Sequence, residues 1–146
     1  MSVYADTSFL VSLYVLDVNS ARADATMRRT NLPVAISALV ELELTNAISL
    51  RLFRRELKTA EAKAAYALVR KDIEDGVLES KPIPNVAFER AKQIARRGTP
   101  RLGTRTIDVL HVALALEFRA EAFYTFDARQ AKLAVAEGLA LANLSS

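Results

Sequence analysis

The chain contains no cysteine. That excludes a disulfide framework and any thiolate metal site, and it fits a reducing compartment. There is one histidine, so a bound metal would have to be held by oxygen or by that single imidazole. Glycine and proline, four of each in 146 residues, are too scarce for a fibrous or low-complexity chain. No apolar run reaches the roughly 18 residues of a membrane span. The apolar beginning MSVYADTSFLVSLYVLDVNS has neither a basic n-region nor an A-x-A-type cleavage site, and Asp6 interrupts it. The expectation is a cytoplasmic protein with no membrane association, and one domain spanning 1–146, a length able to bury a core without staples. Basic residues outnumber acidic ones 20 to 17, and 14 of the 20 are arginine. The planar guanidinium suits bidentate phosphate contacts, yet a GC-rich genome also yields arginine, so composition leaves phosphate recognition open.

Short β-like runs alternate with helical patterns. SVYAD (2–6) reads as a strand, and TSFLVSLYVL after it as a helix with Thr7 placed to cap it. NSARADATMRRTN is a second helix, and PVAIS (33–37) a second strand whose Ser37 caps a long helix ending near Lys58. Residues 59–76 form a helix stopped by Gly76, so two consecutive helices make a hairpin. VLESKPIP (77–84) reads as a strand and NVAFERAKQIARRG as a helix ending at Gly98, with TPRLGTR as the most loop-like stretch. TIDVLHVALALEFRA (106–120) is an apolar helix, EAFYTFD (121–127) a strand, ARQAKLAVAEG a last helix and LALANLSS a further edge strand. Strands alternating with helices predict an α/β fold: a parallel sheet covered on both faces, with ligands at the carboxyl ends of the strands.

Four acids stand in apolar surroundings: Asp6 in VYADTSFL, Glu43 in LVELELTNA, Asp108 in RTIDVLHVALA and Asp127 in FYTFDARQ. Three of them have a plainer reading, Asp6 and Asp127 as helix N-caps and Asp108 as a first-turn acid facing a helix dipole. If they converge, their mutual repulsion calls for a cation, and all-oxygen ligation suits Mg²⁺ or Mn²⁺ and phosphoryl chemistry.

VYADTSFLVSL, ISALVELELTNAI, IDVLHVALAL and FYTFDARQAKLAVAEGL, in that order, resemble the successive signatures of the PIN-domain family, in particular the VapC-type ribonuclease toxins of toxin–antitoxin pairs. The resemblance covers nearly the whole chain. It implies a three-layer α/β/α sandwich around a short, mainly parallel sheet, and an Mg²⁺- or Mn²⁺-dependent endoribonuclease. It further implies a cognate antitoxin and a homodimer. Carried over, Asp6, Glu43, Asp108 and Asp127 are catalytic metal ligands, with Thr7 or Ser8 as the hydroxyl beside the first acid and Thr125 as the one before the last.

Glu41 and Glu43 lie about 200° apart around a helix, so one faces inward. Glu43 shares its stripe with Leu39, Asn46, Ala47 and Leu50, whose small and polar members leave room for an ion and water. The family's glutamate follows the serine of ISAL by six residues, which is again Glu43. His111, three residues after Asp108, is either a general base or a hydrogen-bonded histidine packed at the helix edge. Arg96, Arg97, Arg101 and Arg105 surround the loop before Asp108 and are candidate RNA contacts; Arg51, Arg54 and Arg55 are a second cluster, and either could be a solvated face. Two rival functions remain. A phosphatase of the haloacid dehalogenase type wants an aspartate two residues after the first, where this chain has Ser8. A non-catalytic PIN-like module would bind RNA or a protein without cutting.

Overall fold

A computed structural model describes residues 1–144. Four strands, β1 (Val3–Ala5), β2 (Val34–Ser37), β3 (Leu78–Lys81) and β4 (Phe123–Tyr124), form one sheet in the order β3-β2-β1-β4, and every pairing is parallel. Seven helices connect them: α1 (Thr7–Tyr14), α2 (Ser20–Arg29), α3 (Ala38–Phe53), α4 (Thr59–Glu74), α5 (Val86–Leu102), α6 (Thr106–Glu117) and α7 (Ala128–Ala136). Helices α1 to α4 pack on one another, and α5 to α7 do likewise, so the sheet lies between two helical layers. This is the three-layer α/β/α arrangement that the alternation of elements predicts.

The order of the strands decides where a ligand can go. The chain builds outward from β1 to β2 to β3, then crosses to the other side of β1 to add β4. The reversal opens a crevice at the carboxyl ends of β1 and β4. Tyr4 pairs with Phe123 and Ala5 with Tyr124 across that seam, so the residues that follow, Asp6 and Thr125, emerge side by side. Below them the core is dense. Tyr4 stacks on Phe123 at 5.6 Å between ring centroids, and Phe9 packs against Tyr124 and Phe126.

Several boundaries differ from expectation. Helix α3 stops at Phe53 rather than near Lys58, because Arg55 takes a left-handed conformation with φ 60°. Strand β3 ends at Lys81, before the two prolines, and β4 keeps only two residues of 121–127. Helix α6 ends at Glu117 and a left-handed Arg119 turns the chain away. Helix α5 does not stop at Gly98. It runs through TPRL and closes at Gly103, whose φ of 64° supplies the left-handed cap. Gly98 serves packing instead: a β-carbon there would lie 2.7 Å from Leu133 Cδ1. The expected edge strand reduces to one parallel bridge between Leu141 and Phe123, while residues 145 and 146 lie outside the described residues.

Candidate functional site

Asp6 follows β1 and caps α1, taking the role assigned to Thr7 from the sequence. Its Oδ1 accepts from the Phe9 N–H at 3.0 Å and the Ser8 hydroxyl at 2.7 Å, and its Oδ2 accepts from Thr125. The carboxyl is fully buried. Burial raises its pKa above the ordinary carboxylate value, and the Thr125 hydroxyl, the nearby His111, the Phe9 amide and Ser8 only partly offset that rise. Ser8 also faces Thr125 at 3.2 Å and accepts from the Phe126 N–H at 3.0 Å, so it ties the ends of β1 and β4 together.

Thr7 points the other way. Its hydroxyl donates to Glu43 Oε1 at 2.8 Å, and the same oxygen meets His111 Nε2 at 2.6 Å. Among the described residues Glu43 Oε2 accepts no hydrogen bond. His111 is buried, with Nδ1 2.8 Å from the Tyr4 hydroxyl. Burial holds the Tyr4 phenol protonated far above its ordinary range, with the Ser37 side chain acting against that rise. The imidazole is therefore held at both nitrogens, Nδ1 by the Tyr4 hydroxyl and Nε2 by Glu43 Oε1. His111 is thus the hydrogen-bonded, packed histidine of the plainer expectation, and its partner is an acid of the candidate set. Glu41 stands on a different face of α3 and accepts from Ser80 on β3.

Asp108 is buried in the first turn of α6. Its Oδ2 accepts from the Arg105 backbone N–H at 2.8 Å and from Nε at 3.2 Å; its Oδ1 accepts from Arg105 Nη2 and Gln130 Nε2, each at 3.1 Å. Burial pushes this carboxyl up, but the Arg105 side chain and backbone and Gln130 outweigh it and hold the pKa below the usual value. Asp127 caps α7, its Oδ1 accepting from the Arg129 and Gln130 N–H groups and its Oδ2 from Arg105 Nη2 at 3.4 Å. Arg105 therefore lies across Asp108 and Asp127.

All four candidate acids stand at the carboxyl end of the sheet, and the plainer cap readings of Asp6 and Asp127 hold at the same time. Their chemistry suits a hard cation: four carboxylates offer oxygen alone, against one guanidinium. Gln130 adds a buried oxygen, Oε1, that has no hydrogen-bond partner among the described residues. The kind of donor fits a divalent ion. Among the described residues, however, no three acidic or imidazole groups are gathered tightly enough to hold one, and Arg105 supplies the positive charge at Asp108 and Asp127.

Of the candidate arginines, Arg105 is in the acid cluster, and Arg101 lines a cleft of about 630 Å³ beside Asp127. Arg97 is turned away into an ion pair with Glu137 at 2.5 Å, and Arg96 is exposed and outside that cleft. Sequence reasoning missed Gln130, Tyr4, Arg129 and Lys132. Gln130 carried one usable signal, its i,i+3 spacing from Asp127.

The model of the PIN domain family matches residues 3–136. No curated protein matches this chain. Among solved structures, the chain is similar to VapC20 of Mycobacterium tuberculosis, described as a Sarcin-Ricin loop cleaving toxin, at 20% identity and a TM-score of 0.71 over 97% of this chain and 98% of that one. FitAcB of Neisseria gonorrhoeae follows at 18% and 0.69, over 99% and 98%. VapBC2 of Rickettsia felis, bound to a DNA fragment from its promoter, is 18% identical with a TM-score of 0.65, over 98% of each chain. At such identities the likeness is one of fold. With four acids at the switch point of a parallel sheet and a family match over nearly its whole length, this chain belongs to the PIN-domain family.

Proposed function

We propose that this chain is a single-domain, metal-dependent endoribonuclease, the VapC-type toxin of a toxin–antitoxin pair, hydrolysing RNA phosphodiester bonds in the cytoplasm. The observation that carries this reading is the placing of Asp6, Glu43, Asp108 and Asp127 round the carboxyl end of the sheet, Glu43 tied to Thr7 and His111, and Asp108 and Asp127 bridged by Arg105, in a PIN-family chain. The fold shared with VapC20, FitAcB and VapBC2 supports the toxin assignment and with it a cognate antitoxin; a homodimer is part of the same proposal.

In this reading the four acids hold Mg²⁺ or Mn²⁺, with Gln130 Oε1 close by. When bound, such an ion lowers the pKa of a water and offsets charge developing on the phosphodiester oxygens. The chain's own groups do the positioning. Ser8 and Thr125 fix both oxygens of Asp6, while Thr7 and His111 hold Glu43 by Oε1 and leave Oε2 free to accept. Arg105 keeps Asp108 ionised and ready to bind a cation.

The test is cleavage of RNA with Mg²⁺ or Mn²⁺, comparing wild type with Asp6→Asn and Asp108→Asn. Wild type should cut, and each variant should lose about 10²- to 10³-fold, the equivalent of several kcal/mol of charge stabilisation. Cleavage indifferent to both substitutions would overturn the reading. So would inactivity with every divalent ion, combined with unaffected growth on expression.

A further inference from the structure

The exposed cations along α5 are mostly neutralised. Arg90 pairs with Glu117 at 2.7 Å, Lys92 with Glu89 at 2.6 Å and Arg97 with Glu137. The pattern changes where the end of α5 meets the start of α7. There Arg101, Arg105, Arg129 and Lys132 line the cleft beside Asp127. Among the described residues Arg101, Arg129 and Lys132 have no carboxylate partner. Arg101 donates only to the Arg97 carbonyl, at 3.3 Å. Arg129 and Lys132 are exposed and three residues apart, so they share one face of α7.

Unpaired cations in a concave surface repel one another and raise the local concentration of anions. The cleft is continuous with the acid cluster, because Asp127 and Arg105 belong to both. An anion held there would lie next to the acids. The ligand that places successive phosphates along a cleft and a cleavable ester beside it is a nucleic-acid strand.

We infer that Arg129 and Lys132, together with Arg101, bind the phosphates of the RNA strand flanking the bond that is cut. This rests on the reading of the adjoining acids as a ribonuclease site. It also reassigns substrate contact: α7 supplies cations that replace Arg96 and Arg97 of the expected set.

The experiment measures binding of a fluorescein-labelled single-stranded RNA by anisotropy, with a chelator to suppress cleavage, between about 50 and 200 mM salt. Three double variants accompany wild type: Arg129→Ala/Lys132→Ala, the charge-conserving Arg129→Lys/Lys132→Arg, and Lys63→Ala/Arg96→Ala, which removes two charges elsewhere. The first should weaken binding at least tenfold and lower the slope of log affinity on log salt by about 1.4, since each phosphate contact to a single strand contributes roughly 0.7. The other two should stay near wild type. If wild type cuts RNA while the first variant keeps its affinity and slope, the cleft assignment falls and the nuclease reading stands. If wild type binds through the cleft but cuts with no divalent ion, the nuclease reading falls and the cleft stands. If wild type binds no RNA, both fall.

Discussion

Asp6 and Asp108 are both closed to solvent, but Asp6 lies deeper in the fold, and their surroundings act in opposite directions. Asp6 is met by two hydroxyls and an amide, none of them charged, and burial leaves its pKa raised. Asp108 meets a guanidinium as well, and its pKa is lowered despite burial. One side of the acid cluster is thus short of positive charge and the other already has it. The charge state of a carboxylate is decided by depth of burial and by the formal charge of its donors together. In the proposed metal-dependent reading, a cation would bring most to the Asp6 side, where no guanidinium stands.

The comparison can be broken first through activity. Glu43→Gln should cripple RNA cleavage, by about 10²-fold, because it removes a charge from the group that Thr7 and His111 hold in place. Metal-dependent cleavage that survives this change would remove Glu43 from the cluster. The next largest effects are on stability without metal. Asp108→Asn leaves Arg105 and Gln130 donating to a group that is no longer charged, and should cost about 2 kcal/mol after allowing for the exposure of the guanidinium. Asp6→Asn should have the opposite sign and gain roughly 0.5–2 kcal/mol at neutral pH, since it replaces a buried carboxyl whose ionisation burial opposes and keeps a side-chain oxygen for the Phe9 N–H. Thermal melts in chelator distinguish the two, and equal signs would defeat the contrast.

The pH dependence sharpens it further. The lowered pKa of Asp108 means its contribution to folding is present above the ordinary carboxylate value of about 3.9 and is lost as pH falls through the native value. Arg105→Ala should therefore cost about 1 kcal/mol at neutral pH, screened by solvent, and nothing once both proteins are protonated. Denaturant melts from pH 7 to 2 would check this. The raised pKa of Asp6 acts in reverse: its ionisation costs stability as pH rises above the ordinary value, so the gain from Asp6→Asn should vanish in acid. The smallest effect is at Glu41. Glu41→Gln should change cleavage by less than about twofold, since its carboxylate is turned to Ser80 and not to the cluster.

The residues that could be read from the sequence are those whose roles are local. Asp6 after an apolar strand, Ser37 as a cap donating nothing to the helix but accepting from the Val40 N–H at 3.3 Å, and the choice of face at Glu43 all follow from spacing along the chain. Sequence spacing failed where a residue answers to a distant one. Gly98 looks like a helix stop, and only Leu133, 35 positions on, explains it. The end of α3 has no signal because arginine, and not glycine or asparagine, takes the left-handed turn. Arg97 and Arg101 look alike in sequence; Glu137 separates them. Arg129 and Lys132 became visible only once α7 was seen beside the end of α5.

That meeting of α5 and α7 has a mechanical side. At Gly98 the Leu133 side chain of α7 packs directly on the α5 backbone, and Leu133 is wholly enclosed, so an added methyl would have to push that side chain, and α7 with it, away from α5. Arg101 lies beyond this point on one helix, and Arg129 and Lys132 precede Leu133 on the other. A single hydrogen atom in place of a methyl therefore gauges the aperture between the basic walls, from a position that touches neither.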